Sequence, residues 1–417
     1  MSTTPTSSNP MRTVDEHLTA VLGTLGPLPA LEVNLLDAHG CVLAEDVVAP
    51  RPLPGFDNSS MDGYAVRSVD VASATPGSPV WLPVVGDIAA GSDTQYAVNA
   101  GLSVRIMTGA PIPPGADCVI PVEWTDGGTS RVRLDRAPIP GQNIRRSGED
   151  VVRGESVLTR GTSLGAPQIG LLAAVGRARV MVRPRPRVVI FSTGNELVDV
   201  GIEPGPAQLT ESNSYTLTAA AREAGAIAYR VGIVPDDPLK LMSLIEDQLV
   251  RADLVVTTGG VSAGAYDTVK AVLSRLGTVN FMKVAMQPGM PQGFGNVGPD
   301  ATPIFTLPGN PVSAYVSFEV FVRPAIRRML GVQPLYRPLV RATLAQPITK
   351  AEGRRAYVRA RIEVTEGVYV VTPVGGMGSH LVADLALANA FVVIPEHVTY
   401  VPPGATVSVM MLERRQS

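Results

Sequence analysis

Two cysteines in 417 residues, Cys41 and Cys118, are too few and too far apart for a disulfide framework, and no CxxC spacing offers a thiolate metal site. Such usage fits a reducing compartment, so a cytoplasmic protein is expected. The four histidines, His17, His39, His380 and His397, form no ligand-spaced pair and read as surface or packing residues. Charge of neither sign dominates: 35 Lys and Arg face 37 Asp and Glu, for a formal net charge of −2. That balance gives no general pull toward nucleic acid or an anionic membrane. No apolar run approaches the length a bilayer demands. The opening MSTTPTSSNP lacks a basic segment followed by an apolar one, and reads as a frayed tail rather than a signal peptide. Aromatics are only 5% of the chain, so its cores must come from Val, Ala, Leu and Ile.

What the chain does have is turn formers, with 41 Gly and 37 Pro, which argue for many short strands. Its length exceeds one ordinary core and predicts about two to four domains. Texture divides it into an extended N-terminal and linker region at 11–53 and 150–182, a β-rich region inserted at 54–149, an α/β region at 183–331 and a C-terminal β region at 332–415. TVDEHLTAVLGTL predicts an N-terminal helix, and the helical part of ESVLTRGTSLGAPQIGLLAAVG is expected to pair with it. From RVVIFSTGNEL onward, short apolar runs alternate with helical stretches, which predicts a mainly parallel sheet covered on both faces. YVRARIEV and GVYVVTPV revert to alternating β and predict a small barrel or sandwich. The fold class is therefore multidomain α/β plus β, with a three-layer α/β domain at its centre.

In an open parallel sheet, ligands sit beyond the carboxyl ends of the strands. Three segments fall there: STGNEL with Ser192, Thr193 and Gly194; TTGGVSAGAYD with Gly259, Gly260 and Ser262; and TLPGNPVSA with Gly309, Asn310 and Ser313. Each alone makes an ordinary βα turn; three converging turns make an anion cradle. None matches a Walker loop or GxGxxG. Glu196, Asp236, Asp237 and Asp267 gather at the same edge, and one of Asp236 and Asp237 reads as a helix N-cap. Carboxylates beside a bound phosphate repel it unless a hard cation intervenes, which points to Mg²⁺. Lys283 is either an oxyanion partner or a surface lysine. Asp62-Gly63, in FDNSSMDGYAVR, is a turn signal whose plain reading is a hairpin.

SSMDGYAV, MTGAPIPPGAD, IRRSGEDV, STGNEL, TTGGVS and LPGNPVS follow one another in this chain in the order found in molybdopterin molybdenumtransferases. The chain resembles these MoeA-type enzymes, and with them the E domains of gephyrin and plant Cnx proteins, from about residue 12 to about residue 412. The resemblance implies a homodimer whose cleft lies between the α/β domain of one subunit and the inserted domain of the other. It implies Mg²⁺-dependent cleavage of adenylylated molybdopterin, insertion of molybdate-derived molybdenum and release of AMP. By motif, Asp62 and Thr108 correspond to the partner's contribution, with Arg145 and Asp150 near the same interface. Glu196, Asp236 and Asp267 correspond to the main-site acids and metal ligands, Lys283 to its lysine, and Arg359 and Ser379 to polar residues of the C-terminal domain. Transient contact with a molybdopterin adenylyltransferase and with apo-molybdoenzymes follows from the same resemblance.

One departure stands out: Gln287-Pro-Gly-Met290-Pro replaces a K-P-G-K-P of many relatives, removing two cations and leaving molybdate versus tungstate preference open. Two other functions fit part of the pattern. An adenylyltransferase-like enzyme shares the α/β fold but is usually a compact single domain. A gephyrin-like scaffold needs an interaction region that nothing here resembles.

Overall fold

The computed structural model describes residues 11–93, 96–260 and 266–412, the last span without the side chains of 266–268. Contacts divide the chain into two compact units: Met1–Leu31, Gly40–Val42 and Val182–Ser417 in one, Glu32–His39 and Leu43–Met181 in the other. Among the described residues, no helix is long and apolar enough to cross a membrane.

The first unit begins with helix α1 (Val14–Gly23), which starts where a capping box permits. The Thr13 hydroxyl accepts from the Glu16 amide at 3.2 Å, and the Glu16 carboxylate accepts from the Thr13 amide at 2.8 Å. Val14, His17 and Val21, spaced along one face, are buried. The helix packs on a helical stretch near residues 318–330 of its own unit. Its expected partner, the helix Ala166–Ala174, belongs to the other unit. Helical spacing shows that a face is apolar but not what covers it.

The α/β part runs β1 (Arg187–Thr193), α2 (Asn213–Glu223), β2 (Ile227–Val234), α3 (Pro238–Leu249), β3 (Leu254–Thr258), α4 (Tyr266–Leu276), β4 (Gly277–Lys283), β5 (Pro291–Val297), β6 (Thr302–Leu307), α5 (Pro311–Ser317) and α6 (Arg323–Leu330). A π-helical turn, Phe318–Val322, joins the last two helices. The sheet order is β2-β1-β3-β6-β5-β4. The first four strands are parallel, while β5 runs antiparallel to both neighbours. Alternate residues of β1 serve opposite cores: Val188 and Ile190 pack with Leu217 of α2 and Val312 of α5, Val189 and Phe191 with Leu241 of α3 and Leu273 of α4. Burial on both faces makes the strand read as one apolar run.

Beyond α6, strands β7 (Leu339–Leu344), β8 (Arg355–Thr365), β9 (Val368–Pro373), β10 (Ala390–Ile394) and β11 (Thr406–Met411) pair in the cycle β8-β9-β7-β11-β10-β8. This closed five-stranded barrel decides between the expected barrel and sandwich. Met286–Gln287, between β4 and β5, pairs with the start of β8 and ties barrel to sheet.

The second unit carries a five-stranded sheet in which Gly63–Val66 lies between Ser103–Ile106 and Cys118–Pro121. Tyr64 and Val66 face one core, Ala65 the other. Asp62-Gly63 does not form the hairpin turn its dipeptide suggests. The preceding strand Asn58–Ser59 pairs with Ile144–Arg145 instead of with Gly63–Val66. Gly63 is required for a different reason: a Cβ there would collide with the Ile120 carbonyl across the sheet.

Candidate active site

Strand β1 is followed in the sheet by β2 on one side and β3 on the other, so the chain reverses its direction of winding between β1 and β3. Ligands of open α/β sheets bind at such a reversal, beyond the carboxyl ends of the strands. The three glycine-containing turns expected at that edge do meet there. Thr193 and Gly194, Gly259 and Gly260, and Gly309 and Asn310 line one cleft of about 660 Å³.

The glycines answer first to one another. Gly259 and Gly260 have φ of +93° and +68°, backbone that side-chain-bearing residues rarely adopt. A Cβ on Gly259 would strike the Thr193 carbonyl, and one on Gly260 the Val269 side chain. The bare backbone thus lets β1 and β3 end in contact, and exposure to a ligand is a consequence. Gly194 matters for chemistry, because a Cβ there would lie 2.6 Å from Glu196 Oε2. Only glycine lets that carboxylate fold back over its own turn.

Two acids that line the cleft are in opposite states. Glu211 is 2% exposed and fully engaged. It accepts from Ser192 Oγ at 2.7 Å, from the Ser214 amide at 2.7 Å and from Ser214 Oγ at 2.6 Å, with the Arg230 guanidinium 3.6 Å away. Ser192, expected as a donor to ligand, therefore donates inward. Asp236 is the contrast. Its Oδ1 is buried with no hydrogen-bond partner among the described residues, as is Thr193 Oγ1. Burial, with added repulsion from Glu196, holds the Asp236 carboxyl above the ordinary carboxylate range. The neighbouring Asp237 is the N-cap of α3, accepting from the Leu239 and Lys240 amides at 2.9 and 3.1 Å.

No group of three metal-ligating side chains stands among the described residues. Even so, Glu196, the unpartnered Asp236 Oδ1 and the unpartnered Thr193 Oγ1 form an all-oxygen set of the kind Mg²⁺ takes with water and phosphate completing its shell. The residues present fit such an ion.

Other expected residues fall in several places. Ser262 lies outside the described residues, as does the side chain of Asp267, whose backbone occupies the second position of α4. Ser313 is buried within α5. Lys283 is exposed at the end of β4 and does not line the cleft. Asn310 donates to Ser379 Oγ at 2.8 Å, joining the cleft to the loop between β9 and β10. Arg359, 4% exposed on β8, donates to the Gly376 and Gly378 carbonyls and so braces that loop. Asp62 and Thr108 are brought together in the second unit: Asp62 Oδ1 accepts from the Thr108 amide at 2.7 Å and its hydroxyl at 2.8 Å. Those bonds hold the Asp62 carboxyl below its usual range. Arg145 and Asp150, in the same unit, are exposed.

Three cleft residues escaped the sequence reading. Glu211 and Asn213 come from TESNSY, whose hydroxyl and amide groups before a helix were the available signal. Asn213 Nδ2 donates to the Gly309 carbonyl at 2.6 Å and to Thr258 Oγ1 at 3.0 Å, clamping two turns together. His380, set aside as a surface or packing residue, lines the cleft.

Comparison with known proteins runs along nearly the whole chain. Residues 12–176 match the MoeA N-terminal region (domain I and II), residues 189–328 a probable molybdopterin binding domain, and residues 341–412 the MoeA C-terminal region (domain IV). The chain is 45% identical to molybdopterin molybdenumtransferase 1 of Mycobacterium tuberculosis, across 96% of this chain and 99% of that protein. It is 37% identical to the molybdopterin molybdenumtransferase of Bacillus subtilis, across 91% and 89%. Among solved structures it is similar to a molybdopterin biosynthesis MoeA protein from Pyrococcus, with a TM-score of 0.77 at 32% identity, covering 97% of this chain and 100% of that one.

Proposed function

The chain belongs to the MoeA family of molybdopterin molybdenumtransferases, enzymes of molybdenum cofactor biosynthesis, and from that premise we propose that it acts on adenylylated molybdopterin and molybdate with Mg²⁺, yielding molybdenum cofactor and AMP. The carrying observation is the pairing of Glu196 with a half-buried Asp236 whose Oδ1 has no hydrogen-bond partner among the described residues, at the reversal point of the sheet. A raised carboxyl with one buried, unsatisfied oxygen is costly to keep in a cleft and is characteristic of sites that await a cation or proton.

When bound, Mg²⁺ would neutralise charge on the phosphoanhydride and polarise its phosphorus. Glu196, Asp236 and Thr193 would hold it. Asn213 keeps the turns after β3 and β6 at fixed separation, so the cleft is formed before substrate arrives. Glu211 fixes the end of β1 through Ser192 and the start of α2 through Ser214. Gln287 and Met290 supply no charge, and Lys283 stands outside the cleft lining, so a lysine cluster has no part in this scheme.

The active unit in this proposal is a homodimer in which the Asp62–Thr108 pair of one subunit completes the cleft of the other. Support comes from the prearranged geometry of that exposed pair, which nothing within its own unit requires for burial. The test is direct. Purified protein is given adenylylated molybdopterin, molybdate and Mg²⁺, and AMP is measured together with reactivation of an apo-molybdoenzyme. Both should appear; no AMP, with a related enzyme active in parallel, would refute the reaction.

A further inference from the structure

We propose that His380 is the residue that meets the substrate's tetrahedral oxoanion, either a phosphate of the pterin or molybdate, an inference resting on the reaction just described. The cleft is lined by the carboxylates of Glu196, Glu211 and Asp236, and among its described lining residues His380 is the only basic side chain. With Glu196 and Asp236 turned to Mg²⁺ as proposed above and Glu211 engaged by its own partners, an oxoanion elsewhere in the cleft still needs a donor of its own. Two other basic residues the sequence offered are placed elsewhere. Lys283 does not line the cleft, and Arg359 donates to the carbonyls of Gly376 and Gly378.

The support around His380 is what a ligand-facing group needs. Its neighbours are pinned: the Ser379 carbonyl accepts from the Val312 amide at 3.0 Å, and Ser379 Oγ accepts from Asn310 Nδ2 at 2.8 Å. The His380 carbonyl accepts from the Val382 amide at 3.0 Å. Arg359 holds the same loop from below through two carbonyls. The imidazole itself makes no hydrogen bond and no ion pair among the described residues, and it is exposed to the cleft. Here the backbone is fixed and the ring is left available. A protonated imidazole offers an oxoanion both charge and directed N–H donors.

The experiment titrates purified protein with molybdate alone and with inorganic phosphate alone, by calorimetry, for wild type and for His380→Leu, His380→Gln and His380→Lys. His380→Leu should weaken the anion seated there about tenfold or more, as for loss of a charge-assisted hydrogen bond. His380→Lys should restore most of it, and His380→Gln should fall between. Whichever anion responds identifies the source, and in turnover the loss should fall mainly on KM. Unchanged binding of both anions by His380→Leu overturns the inference, as does wild type that binds neither. Failure of His380→Lys to rescue, with a lowered Tm, assigns His380 to loop support and overturns it too. Wild type that binds the anion but releases no AMP overturns the reaction and leaves this inference standing.

Discussion

Asp236 in the α/β cleft and Asp62 on the β-rich unit are both acids in family motifs, yet their surroundings are opposite. Asp236 is half-buried, one oxygen unpartnered among the described residues, its carboxyl pushed up by burial. Asp62 is exposed, doubly hydrogen-bonded to Thr108 and pulled down. The first is a group whose environment is incomplete without a ligand. The second is complete by itself, its hydrogen bonds spent on the Thr108 loop. The distinction predicts that the two residues fail differently when replaced.

The largest effect separates them by subunit. Asp62→Ala and Asp236→Asn chains should each be nearly inactive, while a mixed sample after subunit exchange should recover about a quarter of wild-type AMP release. Random pairing makes half the dimers mixed, and half of their sites are intact. A mixture as inactive as its parents, with exchange proven, places both residues in one chain's site or removes Asp62 from it.

Next comes Glu211, the cleft acid whose partners are satisfied. Glu211→Ala would leave Ser192, Ser214 and Arg230 without their shared acceptor, and should cost about 3 kcal/mol of stability by denaturant unfolding. Asp236→Asn should do the reverse. A carboxyl raised above its ordinary value is penalised in the folded state once ionised, so removing the charge should leave Tm at neutral pH unchanged or slightly higher. A drop in Tm for Asp236→Asn comparable to that of Glu211→Ala would erase the contrast between the two acids.

The smallest effect lies outside the cleft. His17, buried edge-on to Phe321 with ring centroids 4.7 Å apart, has its pKa lowered from 6.5 to about 4, by burial first and then by Arg12. The unfolded chain binds a proton that the folded one refuses. His17 therefore imposes a loss of stability as pH falls from about 6.5 toward 4, and His17→Phe should flatten that part of the curve. An unchanged slope would mean the ring is protonated in place.

Much of this architecture was readable because each central strand is buried on two faces. Val188 to Phe191 and Leu254 to Val256 appear as unbroken apolar runs between helices, and the three turns after β1, β3 and β6 follow from them. The β4–β5 hairpin was not readable. PQGFGNV hides its strand character behind glycines, and those glycines are there because neighbours press close, Phe281 and Thr306 on Gly293. The stretch of its own unit that α1 packs on, residues 318–330, was not readable because an apolar face carries no address. In the site, Glu196 and Asp236 stood beside recognisable turns, whereas Glu211 and Asn213 come from the start of α2 and His380 from the loop between β9 and β10. Folding alone brings those three to the same cleft, and no spacing in the sequence records it.

The account stands most directly on single-turnover kinetics of Asp236→Asn with adenylylated molybdopterin at saturating Mg²⁺, recording pterin binding and AMP release in the same experiment. Asn keeps the size and removes the charge. The predicted result is binding within about threefold of wild type and AMP release slowed on the order of a hundredfold, as for loss of a charge contact made in the transition state. AMP release at the wild-type rate, or binding and release lost in equal measure, would contradict it.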